Sequence, residues 1–500
     1  MENNNLFVCK SAILFALIFT CSFDVSSQNI DSRNDREASL RLPKTDLGYK
    51  STSAYIEDVP DADYRHASET AYERFRDIKY SIRIHWGVYV LQPGTEASWN
   101  FLKYTNEKKQ EYQELYKLFN PVDFDAEKWI TDFSRWGMQA FAFTSKHHDG
   151  FSMWDTKTRV KRRFNYLTQE FEDCDLAYSI MDAPIKRDIV KELCDATAKF
   201  NANCKEDYRK IKVDLYFSHP DFYDTDFRAG PAPLHPLSMF EITQLETDRF
   251  ISRHREQLRE LLTNYGHVDM ICLDGLFDQG VWPQIKETVK LMRKWSPETM
   301  FRARGIGNYG DYYQPEHFVP KDIENSGMPW MSICKLGKTY SYEPIAENYQ
   351  GAQWVIHNLI DCVAKGGSFM VSLGPDEKGN FHPQAIEQLN EVGDWLKVNG
   401  KGIYETRPCE VWHEGTLYFT RTKDHKNVYA LTEQWPEREV IIKSIQPKKG
   451  SKVYLLGYKK PLKWTPTNEG IKVEIPQTLK TSENRPCKYA WVFQFENNQK

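Results

Sequence analysis

The chain lacks any apolar run long enough to cross a bilayer, which takes about 20 residues. Its longest run is SAILFALIFTCSF at 11–23. Lys10 precedes this run and the small residues Val25-Ser26-Ser27 follow it. That is the pattern of a cleaved export signal covering residues 1–28. Cys21 raises lipid anchoring, but Ile18-Phe19-Thr20 is a poor context for it, so a periplasmic or secreted protein is expected. Charge of one sign is also missing. The 66 basic and 70 acidic residues leave a net charge of −4, so nothing global points to a nucleic-acid partner. None of the ten cysteines stands in CxxC spacing, which removes metal fingers. Without Cys9 and Cys21 eight remain, scattered, and buried free thiols are expected rather than a disulfide framework. There is no internal repeat and no low-complexity tract.

What is present is aromatic: 14 Trp, 27 Tyr and 28 Phe. Such residues build cores first, and they also form the platforms on which sugar rings stack. Residues 29–65 are polar and irregular and read as a leader. From 66 to 397, strand-like segments at 80–90, 139–147, 212–219, 268–274, 299–304 and 368–373 alternate with helical patterns such as AEKWITDFSRWG and VWPQIKETVKLMRKW. Alternation over this length predicts a (β/α)8-like barrel, irregular because only six strands are clear. From 398 to 500, short strands such as NVYALTEQW, SKVYLLG and YAWVFQF predict a β-sandwich domain. Residues 155–183 carry Lys157, Arg159, Lys161, Arg162 and Arg163. They read either as a solvated loop or as an electropositive lip on the active-site face.

Polar residues recur where the strands end: His85, His147 and His148, Tyr216 and His219, Asp274, and Arg304. In a barrel enzyme these positions converge on one pocket. Asp274 closes the apolar run VDMICLD, where an ionised carboxylate is costly unless it is paired or used. Glu316, in the next βα loop, is the partner expected for acid/base work, with Asp278, Glu324 and Glu343 as competitors. Two carboxylates across a sugar pocket are what glycoside hydrolysis needs. A metal site on His147-His148-Asp149 is disfavoured, because neighbours on a strand point to opposite faces.

The motifs IHWG at 84–87, SKHHDGFSMWDTK at 145–157, KRDIVKEL at 186–193, LDG at 273–275, GDYYQPEHFVP at 310–320, SLGPDEKG at 372–379 and WLKVNGKGIYETRP at 395–408 occur in order. From about residue 75 onward the chain resembles the α-L-fucosidase family of glycoside hydrolases (family 29). The resemblance implies an exo-acting, retaining hydrolase without cofactor, acting on an oligosaccharide or polysaccharide. Asp274 falls on the family nucleophile and Glu316 on the acid/base of its broad-specificity branch. His85, His147 and His148 match the sugar-hydroxyl ligands. Trp99, Tyr216 and Arg304 match other pocket residues.

The departures matter as much. Ser98-Trp99 stands where Glu-Trp is usual, and PWMS at 329–332 stands where PWE is common. Cys272 replaces a tryptophan two residues before the nucleophile. An insertion around 158–178 has no counterpart. Arg83, in the run YSIRIHWGVYV, stands where an aromatic residue packs on the C5 methyl of fucose. A guanidinium there favours a polar or anionic group at C6, as in L-galactose 6-sulfate from an algal galactan. The plain alternative is that Arg83 pairs with an internal carboxylate and the sugar is ordinary fucose. Two other functions compete: a non-catalytic glycan-binding protein on the same scaffold, and a metal-dependent hydrolase built on the HHD run.

Overall fold

The computed structural model describes Glu57 and residues 59–497, apart from 93–95, 228–235, 276, 278, 322–327, 446 and 449. The expected export signal, most of the expected leader, and the competitors Asp278 and Glu324 lie outside the described residues. No helix among the described residues is long and apolar enough to cross a membrane.

Seven parallel strands form one sheet: β1 (Tyr80–Ile84), β2 (Ala140–Lys146), β5 (Lys212–Ser218), β6 (Met270–Asp274), β7 (Met300–Phe301), β8 (Met331–Lys335) and β9 (Ser368–Leu373). Their spatial order is β7-β6-β5-β2-β1-β9-β8. The opening between β7 and β8 is spanned by residues 312–316. Parallel bridges pair Tyr312 with Arg302 on one side, and Tyr313 with Trp330 and Glu316 with Ile333 on the other. This segment takes the place of an eighth strand, so the barrel is (β/α)8-like and irregular, as expected. Two strands differ in length from the expectation. The run 80–90 leaves the sheet after Ile84, where Val88–Leu91 turns into a 3-10 helix, and 299–304 is strand only at Met300–Phe301.

Side-chain alternation sorts each strand into two faces. Ala140, Ala142, Met270, Met300, Met331, Ile333 and Met370 fill the inside of the barrel as one cluster. Ile82, Ile84, Phe141, Phe143, Leu215, Phe217, Ile271, Leu273 and Val371 belong to the larger core shared with the helices. The helix Ala126–Arg135 shows why such segments dock. Asp125 caps its N-terminus through the amide of Lys128, and Ala126, Trp129, Ile130 and Phe133 form its buried stripe. By the same alternation, Arg83, Cys272 and Arg302 point into the barrel.

The C-terminal domain packs a five-stranded antiparallel sheet, β10-β11-β12-β17-β14, with a three-stranded one, β13-β16-β15. These are β10 (Thr406–Glu414), β11 (Leu417–Thr422), β12 (Asn427–Thr432), β13 (Glu439–Ile442), β14 (Val453–Leu455), β15 (Trp464–Thr467), β16 (Gly470–Glu474) and β17 (Trp491–Glu496). Their inner faces share one apolar cluster that includes Phe419, Val440, Val473 and Phe493. All eight cysteines after residue 28 are free.

The basic segment after β2 is a hairpin of β3 (Val160–Asn165) and β4 (Glu170–Leu176), not a charged lip. Each of its cations has an acid. Lys157 meets Asp155, Arg159 and Lys161 meet Asp175, Arg162 meets Glu246, and Arg163 meets Glu114 and Glu172. Arg159 and Lys161 share the one carboxylate of Asp175, so the cations are bound into local ion pairs.

Candidate active site

The strands deliver their polar residues to one end of the barrel. His85 follows β1, and its Nδ1 lies 2.9 Å from Thr144 Oγ1. The rings of His147 and Tyr216 stack, 5.5 Å apart and 9° from parallel. His85 stands edge-on to both, at 5.2 and 5.0 Å. His147 Nδ1 contacts Ser98 Oγ at 2.5 Å, so the serine found in place of the family's glutamate orients a histidine. His148 Nδ1 contacts Ser218 Oγ at 2.5 Å, and the ring of Trp99 lies 4.4 Å from that of His148.

His147 and His148 do not point to opposite faces as strand alternation predicts. β2 ends at Lys146, and beyond it the backbone is free of the pleat, so both rings turn to the same pocket with centroids 4.4 Å apart. No cluster of three or more groups placed to hold a metal occurs among the described residues. Burial pushes all three histidines below their ordinary range, His148 to about 4, so they are neutral at pH 7. A neutral imidazole can both donate to and accept from a sugar hydroxyl.

Asp274 ends β6. Tyr216 Oη donates to its Oδ2 at 2.5 Å, while Arg304 and Arg302 reach its Oδ1 at 2.9 and 3.4 Å. Burial alone would raise its pKa. Arg304, Arg302, His148 and the tyrosine hydroxyl outweigh burial and hold it well below the carboxylate range. Glu316 shares the same cations: its Oε1 accepts from Arg302 at 2.8 Å and from Arg304 at 2.9 Å. Burial and the charge of Asp274 raise its pKa, the arginines lower it, and the balance is about 2.

The shared donor fixes a distance. Asp274 Oδ1 and Glu316 Oε1 each lie 2.9 Å from Arg304 Nη1, so they are no more than twice that apart. Retaining glycosidases separate their carboxyl groups by about 5–5.5 Å and inverting ones by about 6.5–9.5 Å. The upper bound on these two oxygens lies below the inverting range.

Beneath it, Arg83 is buried and points inward. Its Nη2 donates to Gln314 Oε1 at 2.5 Å and contacts Cys272 Sγ at 2.7 Å, and its guanidinium lies 5.3 Å from the Tyr216 ring centroid. Among the described residues no carboxylate pairs with it, and its Nε has no hydrogen-bond partner. The small Cys272 side chain leaves the room that the guanidinium occupies.

Two candidates fall outside the pocket. Glu343 is tied to the backbone amides of Lys338 and Ile345. His219 packs its ring on His254 and Phe277, and its backbone amide, not its ring, meets Asp274. Arg302 and Gln314 were missed. The signal for Arg302 was present in FRARG, where it stands two residues before Arg304 and so, in the expected strand 299–304, on the same face.

A parallel barrel that turns three neutral histidines, an aromatic wall and a close carboxylate pair toward one mouth has the machinery of a barrel glycosidase. Comparison with known proteins gives the family. The family model described as "Alpha-L-fucosidase" matches residues 51–401, and that described as "Alpha-L-fucosidase C-terminal domain" matches 412–496. The chain belongs to the alpha-L-fucosidase family, glycoside hydrolase family 29. It is 28% identical over 462 residues to the plasma alpha-L-fucosidase of Pongo abelii, covering 85% of this chain and 90% of that protein. It is 25% identical to the tissue alpha-L-fucosidase of Homo sapiens, covering 84% of this chain and 87% of that protein. Among solved structures, alpha-L-fucosidase isoenzyme 1 from Paenibacillus thiaminolyticus superposes with TM-score 0.72 at 23% identity, covering 86% of this chain and 99% of that one. A trapped covalent intermediate of the Bacteroides thetaiotaomicron enzyme superposes with TM-score 0.68 at 22% identity, covering 86% and 96% of the two chains.

Proposed function

We propose that the protein is an exo-acting, retaining hydrolase of terminal α-linked sugars of L-fucose configuration. The observation that carries this reading is the arginine-bridged carboxylate pair. Asp274, ionised and aligned by Tyr216, attacks the anomeric carbon. Glu316 gives its proton to the leaving oxygen, then takes one from the water that releases the sugar with retained configuration.

Glu316 must therefore be protonated in the first half-reaction, although the arginines keep it ionised in the resting site. Substrate entry has to draw it off the arginines toward the glycosidic oxygen. Once Asp274 is glycosylated it is neutral, and the charge that raised the pKa of Glu316 is gone. Both arginines then favour the base form that the second half-reaction needs. His85, His147 and His148 hold the sugar hydroxyls, Trp99 offers a ring face to the pyranose, and Tyr216 acts through its hydroxyl on Asp274.

Arg83 favours a second reading of the sugar itself. A buried cation with neutral acceptors and an unused Nε is a poor neighbour for a methyl group and a good one for oxygen at C6. We propose that α-L-galactose, including its 6-sulfate, is accepted at least as well as L-fucose. Export through residues 1–28 would place the enzyme where such polysaccharides are met. The test is a panel of aryl α-L-fucoside, aryl α-L-galactoside and sulfated galactan oligosaccharides, with Asp274→Asn as the control. Hydrolysis of C6-oxygenated substrates that is abolished in the variant is expected. Turnover of the fucoside alone would remove the C6 reading. Binding without turnover of any of them would favour the non-catalytic protein.

A further inference from the structure

Glu316 stands at the edge of a second polar group that the reaction chemistry does not use. Lys335 ends β8 with the same parity as Met331 and Ile333, which face the barrel interior, so it rises over the pocket mouth. Its Nζ lies 5.1 Å from the centre of the Tyr340 ring and 3.4 Å from Glu96 Oε1. Both side chains of this pair are open to solvent, at 25% and 36%. Tyr340 in turn stands edge-on to His85 at 5.6 Å and lies 3.2 Å from His317 Nδ1 through its hydroxyl.

His317 directly follows Glu316 and adopts φ +72°, a left-handed conformation unusual for a non-glycine residue. Its amide is pinned to Ile333 O at 2.9 Å. The strained turn sends Glu316 into the pocket and His317 out to the surface, and strain of this kind concentrates at functional sites. Phe318 comes next and is 37% exposed.

The place of this group decides what it meets. In the proposed reaction Glu316 protonates the oxygen that joins the terminal sugar to the rest of the glycan. Side chains next to Glu316 and outward from it therefore face the departing sugar. We propose that Lys335, Glu96 and His317, with the faces of Tyr340 and Phe318, form the leaving-group subsite. We further propose that it selects a neutral sugar through a pair of adjacent hydroxyls. Lys335 is a donor only and the Glu96 carboxylate an acceptor only, so together they serve one hydroxyl as acceptor and its neighbour as donor. Glu96 also opposes an acidic sugar. This inference rests on the assignment of Glu316 as acid/base.

The experiment compares Lys335→Met and Glu96→Gln with the wild type on 2′-fucosyllactose and 4-nitrophenyl α-L-fucoside, or on the α-L-galactosyl counterparts if those are the sugars turned over. Each variant is expected to lower the ratio of kcat/KM for the oligosaccharide over the aryl glycoside about tenfold, with the loss in KM. Equal losses on both substrates, or an unmoved ratio, would overturn the subsite. A rise in turnover of a uronic-acid or sulfated leaving group in Glu96→Gln, beyond that of the neutral one, would overturn the choice of a neutral sugar. If Glu316 is not the acid/base, Glu316→Gln retains wild-type turnover of both substrates, and the inference falls with that assignment rather than by the ratio.

Discussion

Replacing Arg302 by methionine keeps most of the side-chain volume while removing one of the two cations shared by the catalytic carboxylates. The lost contacts include one close bond to Glu316 at 2.8 Å and one longer contact to Asp274 at 3.4 Å. A charge-assisted hydrogen bond of this kind contributes about 1.5–3 kcal/mol. At about 1.36 kcal/mol per pKa unit, that moves Glu316 upward by about one to two units from its resting value of about 2. The sign follows from the charge: with less positive potential the neutral acid persists to higher pH. Since kcat/KM reports the ionisations of the free enzyme, the basic limb of its pH profile should move up by about one to two units. The two limbs belong to the pair, because the carboxylates are coupled. The assay is kcat/KM for an aryl α-L-glycoside across pH, on protein shown to be folded by its near-UV circular dichroism. A uniform loss of activity with both limbs unmoved would refute the claim that Arg302 sets the ionisation of the pair.

Asp214 is fully buried and shares the register of Arg83 through Ala142. Burial raises its pKa to about 7, the neighbouring arginines being too weak to offset it. An unfolded aspartate titrates near 3.9, so the native chain holds a proton that the unfolded chain loses between about pH 4 and pH 7. The stability that this one group contributes is therefore fully present below about pH 4 and is lost as the pH rises toward 7. Asp214→Asn should flatten that slope in thermal melts, and an unchanged slope would contradict the assignment. Arg83→Met should shift the ratio of kcat/KM for aryl α-L-fucoside over aryl α-L-galactoside by about tenfold toward the fucoside, read from initial rates. Trp129 is packed among Trp86, Phe124 and Phe381, and Trp129→Ala should cost about 3–5 kcal/mol in urea unfolding.

The sequence made the chemistry more legible than the geometry. Asp274 was readable because a carboxylate at the end of an apolar strand needs a reason, whereas Glu316 was one of several loop carboxylates until the family resemblance singled it out. His85, His147, His148 and Arg304 were readable because they sit at strand ends. The eighth position of the barrel was not, since 312–316 joins its neighbours by single bridges and carries no β pattern. Arg302 was passed over because, of the two arginines in FRARG, only Arg304 stands at the end of the expected strand 299–304. The hairpin cations looked like a lip because their acids, Glu114 and Glu246 among them, come from distant segments. Arg83 could be singled out as misplaced, but its partners Cys272 and Gln314 lie on other walls of the barrel and only the fold brings them together.

The central claim is double displacement at Asp274, and the anomer released first tests it most directly. Proton NMR during the first minutes of hydrolysis, before mutarotation, should show the α-configured sugar. The β anomer appearing first would contradict retention and with it the role given to the carboxylate pair.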